Sequence, residues 1–162
     1  MWDEFIKYFR KRLITEIPGI FAYYLAHIPW HGDILGGRDK ITKESKDYAR
    51  ALINSFDTSD IAKLLSLIDD RGIARGTIGQ SVEAVVSSIP NAKEYLAAII
   101  KDADFPIEIR ESACLIYIYN NKGTARQLQN NLEMLEIIAG ESEQAKLLSD
   151  HLKEYGWVSP YL

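Results

Sequence analysis

The chain of 162 residues has a single cysteine, Cys114, so no disulfide can form within it. Nothing in that usage points to an oxidising compartment. Cys114 lies in the apolar run Ala113-Cys114-Leu115-Ile116, where a buried structural thiol is expected. No stretch approaches the ~20 consecutive apolar residues that a membrane span needs. The first residues carry Asp3 and Glu4, and Lys7 and Arg10 interrupt the apolar positions, which is not the pattern of a secretory leader. A cytoplasmic location and no membrane partner are expected. Proline and glycine are also scarce, at five and ten. Most of them punctuate apolar periodic stretches, which favours long regular elements over a loop-rich β fold.

Hydrophobic residues make up 47% and charged residues 26%, values of an ordinary globular chain that argue against wholesale disorder. The length fits one domain with one continuous core. The net charge of −4 is uneven. Residues 1–50 carry nine Lys+Arg against seven Asp+Glu, and residues 51–162 carry ten against sixteen. An acidic body attracts basic partners and repels phosphate backbones, so no nucleic-acid partner is expected.

Apolar residues recur at helical spacing almost throughout. Trp2, Phe5, Ile6, Phe9 and Leu13 form one stripe of a helix ending near Ile17, with acids early and Arg10, Lys11 and Arg12 late, as the helix dipole favours. Pro18-Gly19 separates it from a second helix reaching about Ile28, and residues 29–40 are the longest loop. A third helix is expected over about Thr42–Phe56. Asp57 or Thr58 caps a fourth that uses Ile61, Leu64, Leu65 and Ile68. A fifth covers about Thr77–Ile89. Its valines fall at 3–4 residue spacing, which argues against a strand. Asn91 with Glu94 and Thr124 with Gln127 read as capping boxes of a sixth and an eighth helix. Pro106 sits in the first turn of the seventh, which runs to about Tyr119. Ser142 leads into a ninth, with Ala145, Leu148, Leu152 and Tyr155 inward and Gly156 at its end.

The chain also repeats itself. At an offset of 32, Leu64 meets Leu96, Leu67 meets Ile99, Ile68 meets Ile100 and Asp70 meets Asp102. At an offset of 31, Ile78 meets Ile109, Ser81 meets Ser112, Val82 meets Ala113 and Val85 meets Ile116. A blurred third copy covers residues 124–155, with Leu128 over Leu96 and Ala145 over Ala113. The segment Asp104-Phe105-Pro106-Ile107-Glu108-Ile109-Arg110-Glu111-Ser112-Ala113 resembles the HEAT repeat, in which an acidic, proline-bearing turn precedes apolar–Arg–x–x–Ala. The earlier copy departs from that pattern, with Gly79 for the arginine and Val82 for the alanine. The resemblance implies an all-α fold of about nine helices in stacked antiparallel hairpins, a short HEAT-like solenoid. Residues 1–162 then form one helical domain: capping helices over 1–56, repeat hairpins over 57–155 and an aromatic tail over 156–162. Hairpins that share a core repeat their corners in space. Asp69, Asp70, Asp102 and Asp104 should therefore line one acidic edge.

His27 and His31 lie four apart near Asp33, but Pro29 between them denies them one helical face, so a structural or surface role is expected and no metal. His151 has no visible partner. Gly72, Gly76 and Gly79 match no phosphate-loop spacing and read as helix-turn glycines. No Gly-x-Ser-x-Gly stands in the chain, and turn carboxylates such as Asp69 and Asp70 are solvated unless buried. No catalytic residue and no cofactor are expected. The basic run Lys7, Arg10, Lys11 and Arg12 is the polar face of a capping helix, or a membrane-surface helix. The tail Tyr155-Gly156-Trp157-Val158-Ser159-Pro160-Tyr161-Leu162 is expected to pack on the last helices or to form a contact patch.

The leading reading is a protein-binding module whose partner is basic. In general character the chain resembles the immunity proteins of bacterial polymorphic-toxin systems, which block a toxin or nuclease domain. The expected contact residues are Asp69, Asp70, Asp102, Asp104, Trp30, Trp157 and Tyr161. The alternatives are a HEAT-like adaptor or scaffold, of the kind a phage could encode, and a helical-repeat enzyme acting on nucleic acid.

Overall fold

Three helices begin with a polar side chain that satisfies backbone N–H groups no helical carbonyl can reach. Asp57 accepts from the Asp60 amide while Asp60 accepts from that of Asp57. Thr124 and Gln127 exchange the same pair of bonds. Ser142 accepts from Ala145. These starts divide the chain of the computed structural model, which describes residues 11, 43–68, 76–121 and 123–156. Seven helices lie in that range and no strand: α1 (Lys43–Asn54), α2 (Thr58–Leu65), α3 (Gly76–Ser87), α4 (Ala92–Lys101), α5 (Ile107–Tyr119), α6 (Ala125–Ile138) and α7 (Glu143–Tyr155). They match the third to ninth helices expected from the sequence. The expected helices before Thr42, the loop over 29–40 with Trp30, the His27/His31 pair, Asp69, Asp70, Gly72, and the tail with Trp157 and Tyr161 lie outside the described residues.

The described residues fall into two compact units. In the first, residues 43–68 and 76–92, α2 packs on α3. Leu52, Ile53, Ile61, Leu64, Leu65, Val82, Val85 and Val86 are all buried. The valines of α3 therefore serve a helix face, and their 3–4 residue spacing outweighs their β-branched character.

In the second unit, residues 93–156, α5 packs on α6 and α6 on α7. Every residue from Ser112 to Ile118 is buried, so α5 is enclosed on nearly all sides, as a helix apolar around its circumference must be. Leu96, Ile99 and Ile100 of α4, Leu135 and Ile138 of α6, and Ala145 and Leu152 of α7 complete this core. Gly156 ends α7 at φ 72, with its N–H donating to Leu152 O, the left-handed closure for which glycine is suited.

Four details differ from the sequence expectation. Asn91 has φ 58 and closes the turn ahead of α4 in left-handed backbone, not the extended backbone of an N-cap, and asparagine is among the few side chains that tolerate this. Pro106 stands one residue before α5, at its N-cap. Tyr155 is 57% exposed where an inward position was expected. The third repeat copy is out of register. α3 and α5 start 31 residues apart, and the pairs Ser81/Ser112, Val82/Ala113 and Val85/Ile116 are all buried. An offset of 32, however, carries the α4–α5 turn onto residues 134–138, which are the last turn of α6. α6 has 14 residues where α4 has 10. Because one turn is 3.6 residues, four extra residues return nearly the same face, so the apolar pattern matched while the turn moved.

Candidate interaction surface

The turn between α4 and α5 is shaped by Asp102, whose carboxylate accepts from the Asp104 amide at 2.9 Å. Asp102 and Asp104 are both exposed. Asp102 follows the exposed cation Lys101, and Glu108 follows in the first turn of α5. The turn between α6 and α7 contributes Glu141, then Glu143 in the first turn of α7, both exposed. Anions at Glu108 and Glu143 face helix N-termini, where the peptide dipoles favour them.

Arg110 holds these two turns at one end of the unit. Its Nε donates to Ile100 O at 2.9 Å, at the close of α4, and its Nη1 lies 3.5 Å from Glu141 Oε2. The arginine side chain is only 4% exposed while that of Glu141 is 63% exposed. Beside it, Ser142 Oγ donates to Glu111 Oε1. Both links join residues 31 apart. The result is a corner carrying Asp102, Asp104, Glu108, Glu141 and Glu143 outward over a buried guanidinium.

Polar bonds elsewhere in the unit are structural. Asn121 Nδ2 donates to Asn131 Oδ1 at 3.0 Å, and Asn131 Nδ2 returns a bond to Asn121 O at 2.7 Å. Lys93 donates to Asn121 Oδ1. The buried amides thus tie the α5–α6 turn to α6, each with hydrogen-bond partners, as burial requires. On the surface, Lys153 and Ser149 both donate to Glu136 Oε1. The Lys153 hydrogen bond, then that of Ser149, holds the Glu136 carboxyl below its ordinary pKa.

Cys114 is buried, and desolvation, then the charge of Glu111, pushes its pKa up to about 12. It is the structural thiol the sequence implied. The niche beside it, lined by residues that include Glu111, Leu135 and Leu148, measures about 10 Å³, room for roughly one water. His151 stacks on Tyr155 with ring centroids 4.7 Å apart, and its Nε2 has no hydrogen-bond partner among the described residues. Among those residues no helix is long and apolar enough to cross a membrane.

Of the seven expected contact residues, Asp102 and Asp104 are described and stand together, exposed. Asp69, Asp70, Trp30, Trp157 and Tyr161 lie outside the described residues. Glu108, Glu141 and Glu143 were not among the expected contact residues, although the α6–α7 turn that carries Glu141 was itself expected. Ser142, the correctly expected cap, marked where that turn really falls. Compared with protein-family models, with curated proteins and with solved structures, the chain matches none.

Proposed function

We propose that this chain is a protein-binding module that captures and blocks a basic protein, as an immunity protein does with a toxin or nuclease domain. It has no catalytic role of its own, and its site of action is the cytoplasm. Its hairpins stack in the HEAT-like manner, so that successive corners share an edge. The observation that carries the reading is the Arg110 corner, where the α4–α5 and α6–α7 turns, joined through Arg110, carry exposed carboxylates. Such a surface accelerates encounter with a cationic partner and repels polyanions, and the rate gain fades with salt.

The test is affinity capture from the source organism with the wild-type chain and with Asp102, Asp104, Glu141 and Glu143 all replaced by lysine. It is paired with a growth assay in which the captured gene is expressed with and without this chain. The expected result is one stoichiometric basic protein, lost on charge reversal, whose toxicity the wild-type chain relieves. Equal capture by the reversed variant removes the acidic corner as the binding site. Recovery of a large multi-subunit complex without toxicity would favour the adaptor reading instead.

A further inference from the structure

The large apolar side chains left exposed among the described residues are Ile137 at 40%, Leu147 at 60% and Tyr155 at 57%, all on the α6–α7 hairpin. Leu147 sits at the outermost pole of α7. The residues sharing its stripe, at i, i+4, i+7 and i+11, are Glu143, Leu147, Asp150 and Glu154, and all four are exposed. None of these three carboxylates bonds to another described residue, whereas Glu111, Glu136 and Glu141 are each engaged.

Glu143 suits the first turn of the helix, but the two carboxylates beyond Leu147 work against it. Asp150 and Glu154 are like charges at i, i+4, which repel. Glu154 lies in the last turn, where the helix dipole disfavours an anion. Lys153 shares that last turn, but its ammonium is bound to Glu136, and among the described residues no ion pair joins Lys146 to Asp150 or Glu143. A local rule broken in this way points to a requirement outside the fold. An exposed leucine in line with three carboxylates that bond to no other described residue is complementary to apolar side chains flanked by lysine or arginine. The stripe runs about 16 Å along the axis, and its 3–4 residue ridges fit the grooves of another helix. A strand would find no unpaired backbone on this face.

We propose that the outer face of α7 docks a cationic amphipathic helix of the partner, with Leu147 as the apolar anchor and Glu143, Asp150 and Glu154 pairing its basic residues. This rests on the reading of a basic protein partner and adds where, and by what element, that partner is held.

The probe is a fluorescein-labelled leucine–lysine peptide patterned as an amphipathic helix, titrated with the full chain by anisotropy. A scrambled peptide of the same composition serves as control. The patterned peptide should bind at least about tenfold more tightly than the scrambled one. Leu147→Ser, and the pair Asp150→Asn with Glu154→Gln, should each weaken it by about tenfold or more. The amide pair should also raise the melting temperature, so weaker binding there cannot come from unfolding. Lysine at Asp102 and Asp104 should leave peptide binding within about twofold. Indifference to the peptide's pattern, or unchanged binding by Leu147→Ser, overturns the inference, even if capture of the natural partner still depends on the Arg110 corner. Retained peptide binding with no relief of toxicity would instead count against the immunity function and leave this docking face standing.

Discussion

Arg110 keeps a guanidinium beneath the surface with two partners of unequal worth. The bond to Ile100 O is short and buried, so losing the donor strands a carbonyl. The contact with Glu141 is long, and the glutamate is largely in water. Arg110→Met should therefore lower unfolding free energy by about 2 kcal/mol in a urea titration, whereas Glu141→Gln should cost at most about 1 kcal/mol. Equal losses would place the energy in the ion pair. The neighbouring thiol sets an alkaline limit. Cys114 holds its proton well above its ordinary pKa of 9.0, and burial raises Tyr117 from its ordinary 10.0 in the same direction. The folded state thus binds more protons than the unfolded state once pH passes 9. The stability these groups contribute is whole below that point and is lost as pH climbs from about 9 towards 12. Thermal melts across that range should fall steadily, and Ellman's reagent should label Cys114 only in denaturant.

Element starts were the most legible feature of the chain, because a cap is a local bargain between one side chain and the amide three residues on. Asp57, Thr124 and Ser142 all stand where their sequence context placed them. Asn91 did not follow, since asparagine serves a left-handed turn as readily as a cap. The cap at Ser142 placed the α6–α7 turn correctly, whereas the third repeat copy fell out of register because helical periodicity is nearly blind to a one-turn insertion. Ser142 has a larger role than an exposed cap, for it is buried and also donates to Glu111 across to α5. Ser142→Ala should accordingly cost about 2 kcal/mol, at the upper end for a cap. Thr124→Ala, at an exposed box, should cost about 1 kcal/mol. Chemical denaturation of the two variants side by side checks the order, and the reverse order would mean that the Glu111 bond adds nothing.

At the scale of the whole molecule the sequence's charge asymmetry carried most of the functional information. It marked the body as acidic, while the repeated acidic turns brought out Asp102 and Asp104. It could not show that Arg110 ties the end of α4 to Glu141 of the α6–α7 turn, because that depends on which turns share an end. Nor could it show that Tyr155 faces water, because an amphipathic stripe is as wide as the neighbour that covers it. The same asymmetry separates a protein-binding module from an enzyme acting on nucleic acid. Residues 93–156 carry seven Lys+Arg against eleven Asp+Glu. One of those cations is buried beneath the acidic corner, and another is bound to Glu136. A phosphate backbone approaching the second unit therefore meets repulsion where a DNA-binding groove would offer released counterions. Passed over immobilised double-stranded DNA at low salt, the chain should elute unretained or nearly so. Tight retention that falls steeply with salt would require a basic surface strong enough to overcome that acidity, and would move the protein into the nucleic-acid-acting class.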